Sequence, residues 1–232
     1  MLRAFFKGRV AQWLLLPVII LILWGSQIVA EVKEKHQTFS FRLLLSDKKC
    51  QIAIWLTDEQ GIFVDTVYVT WKTAKKGLGN RRGGLDDKWG GARLSTLPVW
   101  AYSRGVDYGN KNFYPPKNKP LPDAITSATP KAGEFVWKWK PKKALKPSKY
   151  FYYIEVNKSF DKTEHHNYSW YRGQPSVVWR GNIRVGNQIW KSEAKIIGHG
   201  HVAGKDGKIN SDLSTLTTSL RLIEKVEAVY HP

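Results

Sequence analysis

The sequence predicts a mainly β fold, an antiparallel immunoglobulin- or fibronectin-like β-sandwich carrying two long loop insertions and a short helix. Seven or eight short runs rich in β-branched and aromatic residues recur along the chain, Gly, Pro and Asn signals separate them, and one segment has helical character. Thr38 to Leu45 (TFSFRLLL) and Gln51 to Thr57 (QIAIWLT) open the series. Asp58-Glu59-Gln60-Gly61 then turns into Ile62 to Trp71 (IFVDTVYVTW), which alternates well enough to be a hairpin partner. Later strands are expected over Gly133 to Lys140, Tyr150 to Val156, Ser176 to Val185, Gln188 to Ile197 and Leu222 to Tyr230. Pattern alone does not order them.

The first insertion, residues 72–132, opens on Gly and Arg (KKGLGNRRGGLDDKWGG) and then offers a helix over Ala92 to Ser103, limited or kinked by Pro98. It ends in a polar, Pro-rich loop, Asn110 to Pro122. The second insertion, Asn157 to Pro175, carries His165-His166 and several aromatics. Insertions of this length on a sandwich are functional or disordered, so a binding surface is expected in these loops. Of the eleven tryptophans, Trp55, Trp71, Trp137, Trp139 and Trp179 fall in strands and are read as core or half-core. Trp89, Trp100 and Trp170, with Tyr171, sit in the insertions, where core and cleft-lining roles are both open.

Ahead of the strands, Arg3, Lys7 and Arg9 precede an apolar run, Trp13 to Trp24 (WLLLPVIILILW), and Gly25-Ser26-Gln27. Cations, an apolar core and small residues make an export signal. It is cleaved at Ala30 or kept as an N-terminal membrane anchor, since Trp13 to Ala30 is eighteen residues, enough to reach roughly across a bilayer. Residues 31–232 are then expected as a single domain on the outer side of a cytoplasmic membrane. Cys50 is the sole cysteine, which excludes an intramolecular disulfide and a cysteine-based metal or redox centre; a buried or half-buried, inert thiol is expected. The formal charge is +18, and removing the three cations of the leading segment leaves +15. Export and the lack of a helical basic stripe argue against nucleic acid. Clusters such as Lys75-Lys76 and Arg81-Arg82 read as solvated faces.

HExxH, GxSxG, P-loop and GxGxxG motifs do not occur, and Glu155 and Glu164 show no carboxylate partner, so no self-contained catalytic site is expected. Asp123-Ala124-Ile125-Thr126-Ser127-Ala128-Thr129 resembles the acceptor sequence to which a flavin transferase esterifies FMN: Asp, two variable residues, Ser or Thr, Gly, Ala, Thr. Such attachment needs a reachable hydroxyl nucleophile, here Thr129, with Asp123 and Thr126 as the other motif positions. Ser127 stands where the acceptor has Gly. The other reading is a turn in which Asp123 and Thr126 hydrogen-bond locally and start the next strand. His199 and His201, with His165 and His166, could supply nitrogen ligands to a metal or haem iron if the two pairs met in space.

Several segments together resemble the predicted periplasmic proteins grouped as domain of unknown function 2271. They are WLTDEQGIFV (Trp55 to Val64), RLSTLPVW (Arg93 to Trp100), DAITSATPKAG (Asp123 to Gly133), YIEVNKSF (Tyr153 to Phe160), GQPSVVW (Gly173 to Trp179) and the stretch Gly198 to Thr218. Gly-Gln-Pro-Ser and Leu-Ser-Thr-Leu-Thr-Thr make the likeness fairly specific. The family pattern Asp-Ala-Val-Thr-Gly-Ala-Thr falls on Asp123 to Thr129, with Ile125 and Ser127 as departures. The resemblance implies a single periplasmic domain, or one at the outer face of the inner membrane. Some relatives of that family occur beside flavin transferases and PepSY-type membrane proteins linked to iron uptake or electron transfer. The resulting expectation is a non-enzymatic accessory protein of such a system. A redox carrier with FMN on Thr129 and a metal- or haem-binding module are the alternatives.

Overall fold

β2 (Gln51–Thr57) has no charged side chain and is buried along its whole length, so it must be covered on both faces. In the computed structural model, which describes residues 37–47, 49–77, 93–167 and 173–232, two different layers supply that cover. The described residues lie within the unit His36–Pro232. The expected signal or anchor segment, with Trp89, Trp170 and Tyr171, lies outside them. No helix among the described residues is long and apolar enough to cross a membrane.

The fold is a two-sheet, mainly β structure. A six-stranded sheet runs in the order β4 (Thr126–Ser127), β3 (Phe63–Thr70), β2, β6 (Ser148–Asn157), β7 (Val177–Val185), β9 (Lys195–His199). A four-stranded sheet runs β5 (Gly133–Trp139), β1 (Thr38–Leu45), β10 (Ile223–His231), β8 (Trp190–Glu193). Neighbours pair antiparallel except β3 and β4, which are parallel. Alternation sends Phe39, Phe41 and Leu43 of β1 inward to meet Ile52, Ile54 and Leu56 of β2 and Tyr152, Ile154 and Val156 of β6.

The opposite face of β2 carries Ala53 and Trp55, and here the first insertion provides the cover. Leu97, Val99, Trp100, Ala101 and Tyr114 pack against Ala53, Trp55, Val69 and Val178 in a second core. Trp100 is fully buried there, and its indole N–H donates to Thr66 Oγ1 at 3.1 Å. The described C-terminal part of this insertion is thus a packed cap, and Trp100 belongs to its core rather than to a cleft.

Three local expectations change. The strand expected through Trp71 ends at Thr70, and helix α1 (Trp71–Lys76) follows, closed by Gly77 in the left-handed region (φ 53°). Trp71 is consequently 42 % exposed instead of core. The helix expected from Ala92 is shorter: α2 spans Pro98–Ser103, with Pro98 at its first turn, where a missing N–H costs nothing. The strand expected over Gln188 to Ile197 is two strands, β8 and β9, in different sheets. Ala194 marks the crossing, its N–H bonded to Val226 O at 3.2 Å.

Candidate functional site: a cationic cavity beside Thr129

The heptad Asp123 to Thr129 leaves the cap and enters the sheet. Asp123–Ile125 form a single 3-10 turn, and the exposed Asp123 carboxylate meets Lys75 Nζ at 2.8 Å. Thr126 Oγ1 reaches back to Asp123 O at 3.4 Å, a long contact of the local kind a turn favours. Thr126 and Ser127 then add β4 to the edge of β3, and Ser127 Oγ lies 3.1 Å from Tyr68 Oη. Burial, partly offset by that hydroxyl, pushes the Tyr68 phenol up to about 12. Where the flavin acceptor has glycine, this chain therefore has a serine with its own structural contact.

Thr129 comes next, half-buried, in the wall of a cavity of about 430 Å³. Its hydroxyl is met by Gln51 Nε2 at 3.4 Å. Gln51 is itself held by Thr70 Oγ1 and Thr73 Oγ1, which donate to its carbonyl oxygen at 2.7 and 3.0 Å, so Thr129 is positioned against β2, β3 and α1 at once. Around it stand Lys49, Lys72, Arg93, Lys131 and Lys158, with Phe160 beyond them. Lys72, Arg93 and Thr129–Lys131 come from the first insertion and Lys158–Phe160 from the second. The two insertions meet here. The Arg93 guanidinium lies 5.3 Å from the centre of the Phe160 ring, and Lys158 Nζ pairs with Asp47.

The two histidine pairs approach one another without forming a ligand set. His166 is buried and hydrogen-bonds Thr215 Oγ1 through Nε2 at 3.0 Å. Burial first, then the neighbouring His199 and His165, hold it below its ordinary 6.5. His199 Nδ1 lies 2.7 Å from Gly200 O, to which it donates, and His201 Nδ1 accepts from the Ala203 N–H at 3.0 Å. His165 is exposed. Among the described residues no group of three or more His, Cys, Asp or Glu side chains is arranged to hold a metal ion.

Two features escaped the sequence. Glu155 is fully buried under α2, and its carboxylate accepts from Val99 N at 3.2 Å, Trp100 N at 2.8 Å and Ser176 Oγ at 2.5 Å. Its partners are thus amides and a hydroxyl, not a second acid. Gln174 of Gly-Gln-Pro-Ser accepts from Thr217 N at 2.7 Å and Ser219 Oγ at 3.0 Å, and donates to Asp161 Oδ2 at 2.8 Å and Thr218 Oγ1 at 2.6 Å. Gly-Gln-Pro-Ser and Leu-Ser-Thr-Leu-Thr-Thr are therefore hydrogen-bond partners, which gives both a structural role.

Compared with protein-family models, with curated proteins and with solved structures, the chain matches none.

Proposed function

We propose that this chain is a non-enzymatic, exported binding protein of a membrane-linked iron-uptake or electron-transfer system, acting through the cavity where its two insertions meet. Export, the periplasmic side of the membrane, a PepSY-type partner and membership of the family it resembles are parts of that proposal. One observation supports the binding role: residues from Lys49 to Phe160 in the sequence converge on a single cavity of about 430 Å³, inside the size range of small-molecule sites. Complementation in the native host tests the proposal. Deleting the gene should impair iron-limited growth or membrane electron transfer, and the wild-type chain should restore it where Lys49→Glu/Lys131→Glu does not. A deletion without either defect refutes the assigned system; full rescue by the double variant refutes the role of the cavity.

The second reading is a redox carrier with FMN esterified to Thr129. It is favoured by a half-buried hydroxyl whose hydrogen bond is long, set among side chains suited to a phosphodiester. Lys49, Lys72, Arg93 and Lys131 would hold the phosphate charge, and the bound flavin would supply electron transfer. A flavin transferase would have to make the bond. Intact mass and visible absorbance of protein from the host decide between the readings. An FMN-sized addition that disappears in Thr129→Ala establishes the carrier, and its absence with the transferase present ends that reading.

A further inference from the structure

We propose that the cavity beside Thr129 is a binding site for a phosphate-type oxyanion, carried by a small phosphorylated molecule. The inference rests on the reading of the chain as a binding protein and gives that protein a ligand class.

Charge carries the argument. Lys49, Lys72, Arg93, Lys131 and Lys158 line one cavity, and no Asp or Glu is among the described lining residues. Some cations elsewhere are neutralised locally, as Lys75 is by Asp123 and Lys225 by Glu193 and Glu227. In the cavity Asp47 answers Lys158, while Lys49, Lys72 and Lys131 ion-pair with no carboxylate among the described residues. Gathering like charges around a concave, partly desolvated space raises the potential inside it and favours an incoming anion. Cations from separate segments surround the space, which suits a tetrahedral oxyanion with acceptors pointing several ways better than a planar carboxylate. The Thr129 hydroxyl and the Gln51 amide, already fixed in the wall, add neutral donors.

Backbone geometry points to the same place. Four described non-glycine residues have positive φ, and two of them, Lys49 (φ 75°) and Phe160 (φ 68°), line this cavity. Lysine and phenylalanine are poor choices for the left-handed region, and such strain tends to be kept where a side chain must be aimed. The ring of Phe160, 52 % exposed, stands at the same site against the Arg93 guanidinium.

Calorimetric titration of the full chain in non-ionic detergent with inorganic pyrophosphate tests the proposal, on protein whose intact mass shows Thr129 unmodified. One saturable site is expected. Lys49→Glu/Lys131→Glu should weaken it by about tenfold or more, whereas the equally charge-changing Lys119→Glu/Lys208→Glu, away from the cavity, should shift it by less than about twofold. Equal losses in both variants, or no saturable heat, overturn the proposal. Citrate binding as tightly as pyrophosphate overturns the phosphate class. A phosphoester on Thr129 is the other source of the same chemistry: protein carrying that mass should not take up pyrophosphate, and Thr129→Ala should. Pyrophosphate binding without a host phenotype refutes the functional reading alone; a cavity-dependent phenotype without pyrophosphate binding refutes this inference alone.

Discussion

Replacing Glu155 by glutamine probes how the first insertion is fastened to the sheet. Burial pushes this carboxyl up from 4.5 to about 7, against the opposing pull of Ser176 and the Trp100 and Val99 amides. An acid whose pKa is higher folded than unfolded holds its proton more tightly in the fold. Its contribution is therefore complete below the unfolded pKa and is lost as pH rises towards the folded one. With 4.5 and about 7 as the two limits, about 2 to 3 kcal/mol of stability should disappear between pH 5 and pH 8 through this group. Glutamine does not titrate, but its NH2 must face the N–H of either Val99 or Trp100, since those amides bond different carboxylate oxygens. That mismatch costs about 1 to 3 kcal/mol at every pH. E155Q should thus be clearly less stable than wild type near pH 5, and about equal to it or more stable near pH 8. Urea unfolding followed by tryptophan fluorescence reads the difference, in which the titrations of all other groups cancel. Parallel stability profiles for the two proteins across that range would refute the reasoning.

Gly181 faces Tyr152 across β6 and β7, and a Cβ there would overlap the Tyr152 ring, itself packed edge-on against Phe41 at 5.6 Å. Gly181→Ala should cost about 1 to 3 kcal/mol, lowering Tm by about 2–4 °C for each kcal/mol; an unchanged melt would show that the ring yields freely. Gln174→Ala strands the Thr217 N–H and the Ser219 hydroxyl, so it should cost about 2 kcal/mol or more in urea unfolding, and a loss near zero would deny its linking role. Cys50 is buried, and that burial, with Asp47 close by, raises its thiol to about 12. Its reaction with a disulfide reagent should follow unfolding, and prompt modification of the native protein would contradict this.

The strands were readable because a sheet repeats every two residues. TFSFRLLL of β1 alternates as its burial requires, and QIAIWLT announces a strand covered on both sides. The burial of Cys50 and the turn in the flavin-acceptor-like heptad were also legible, the turn because Pro122 leads into it and Thr126 Oγ1 reaches back to Asp123 O. Glu155 shows where this stops. Alternation in YFYYIEV sends Ile154 and Val156 to the sandwich core and Glu155 to the other face, which a sequence reader assigns to water. Tertiary packing of α2 makes that face a second core and gives the carboxylate its amide partners.

The lysines of the cavity are the sharper case. Each of Lys49, Lys72, Lys131 and Lys158 reads alone as a solvated charge, because charge has no periodicity and no partner is written beside it in the chain. The sequence by itself determined a two-sheet β fold with two insertions, one buried thiol and a threonine at the end of a turn. Only the tertiary structure decided that the insertions close on one another. Lysines scattered between positions 49 and 158 thereby share one small space, where their potentials add.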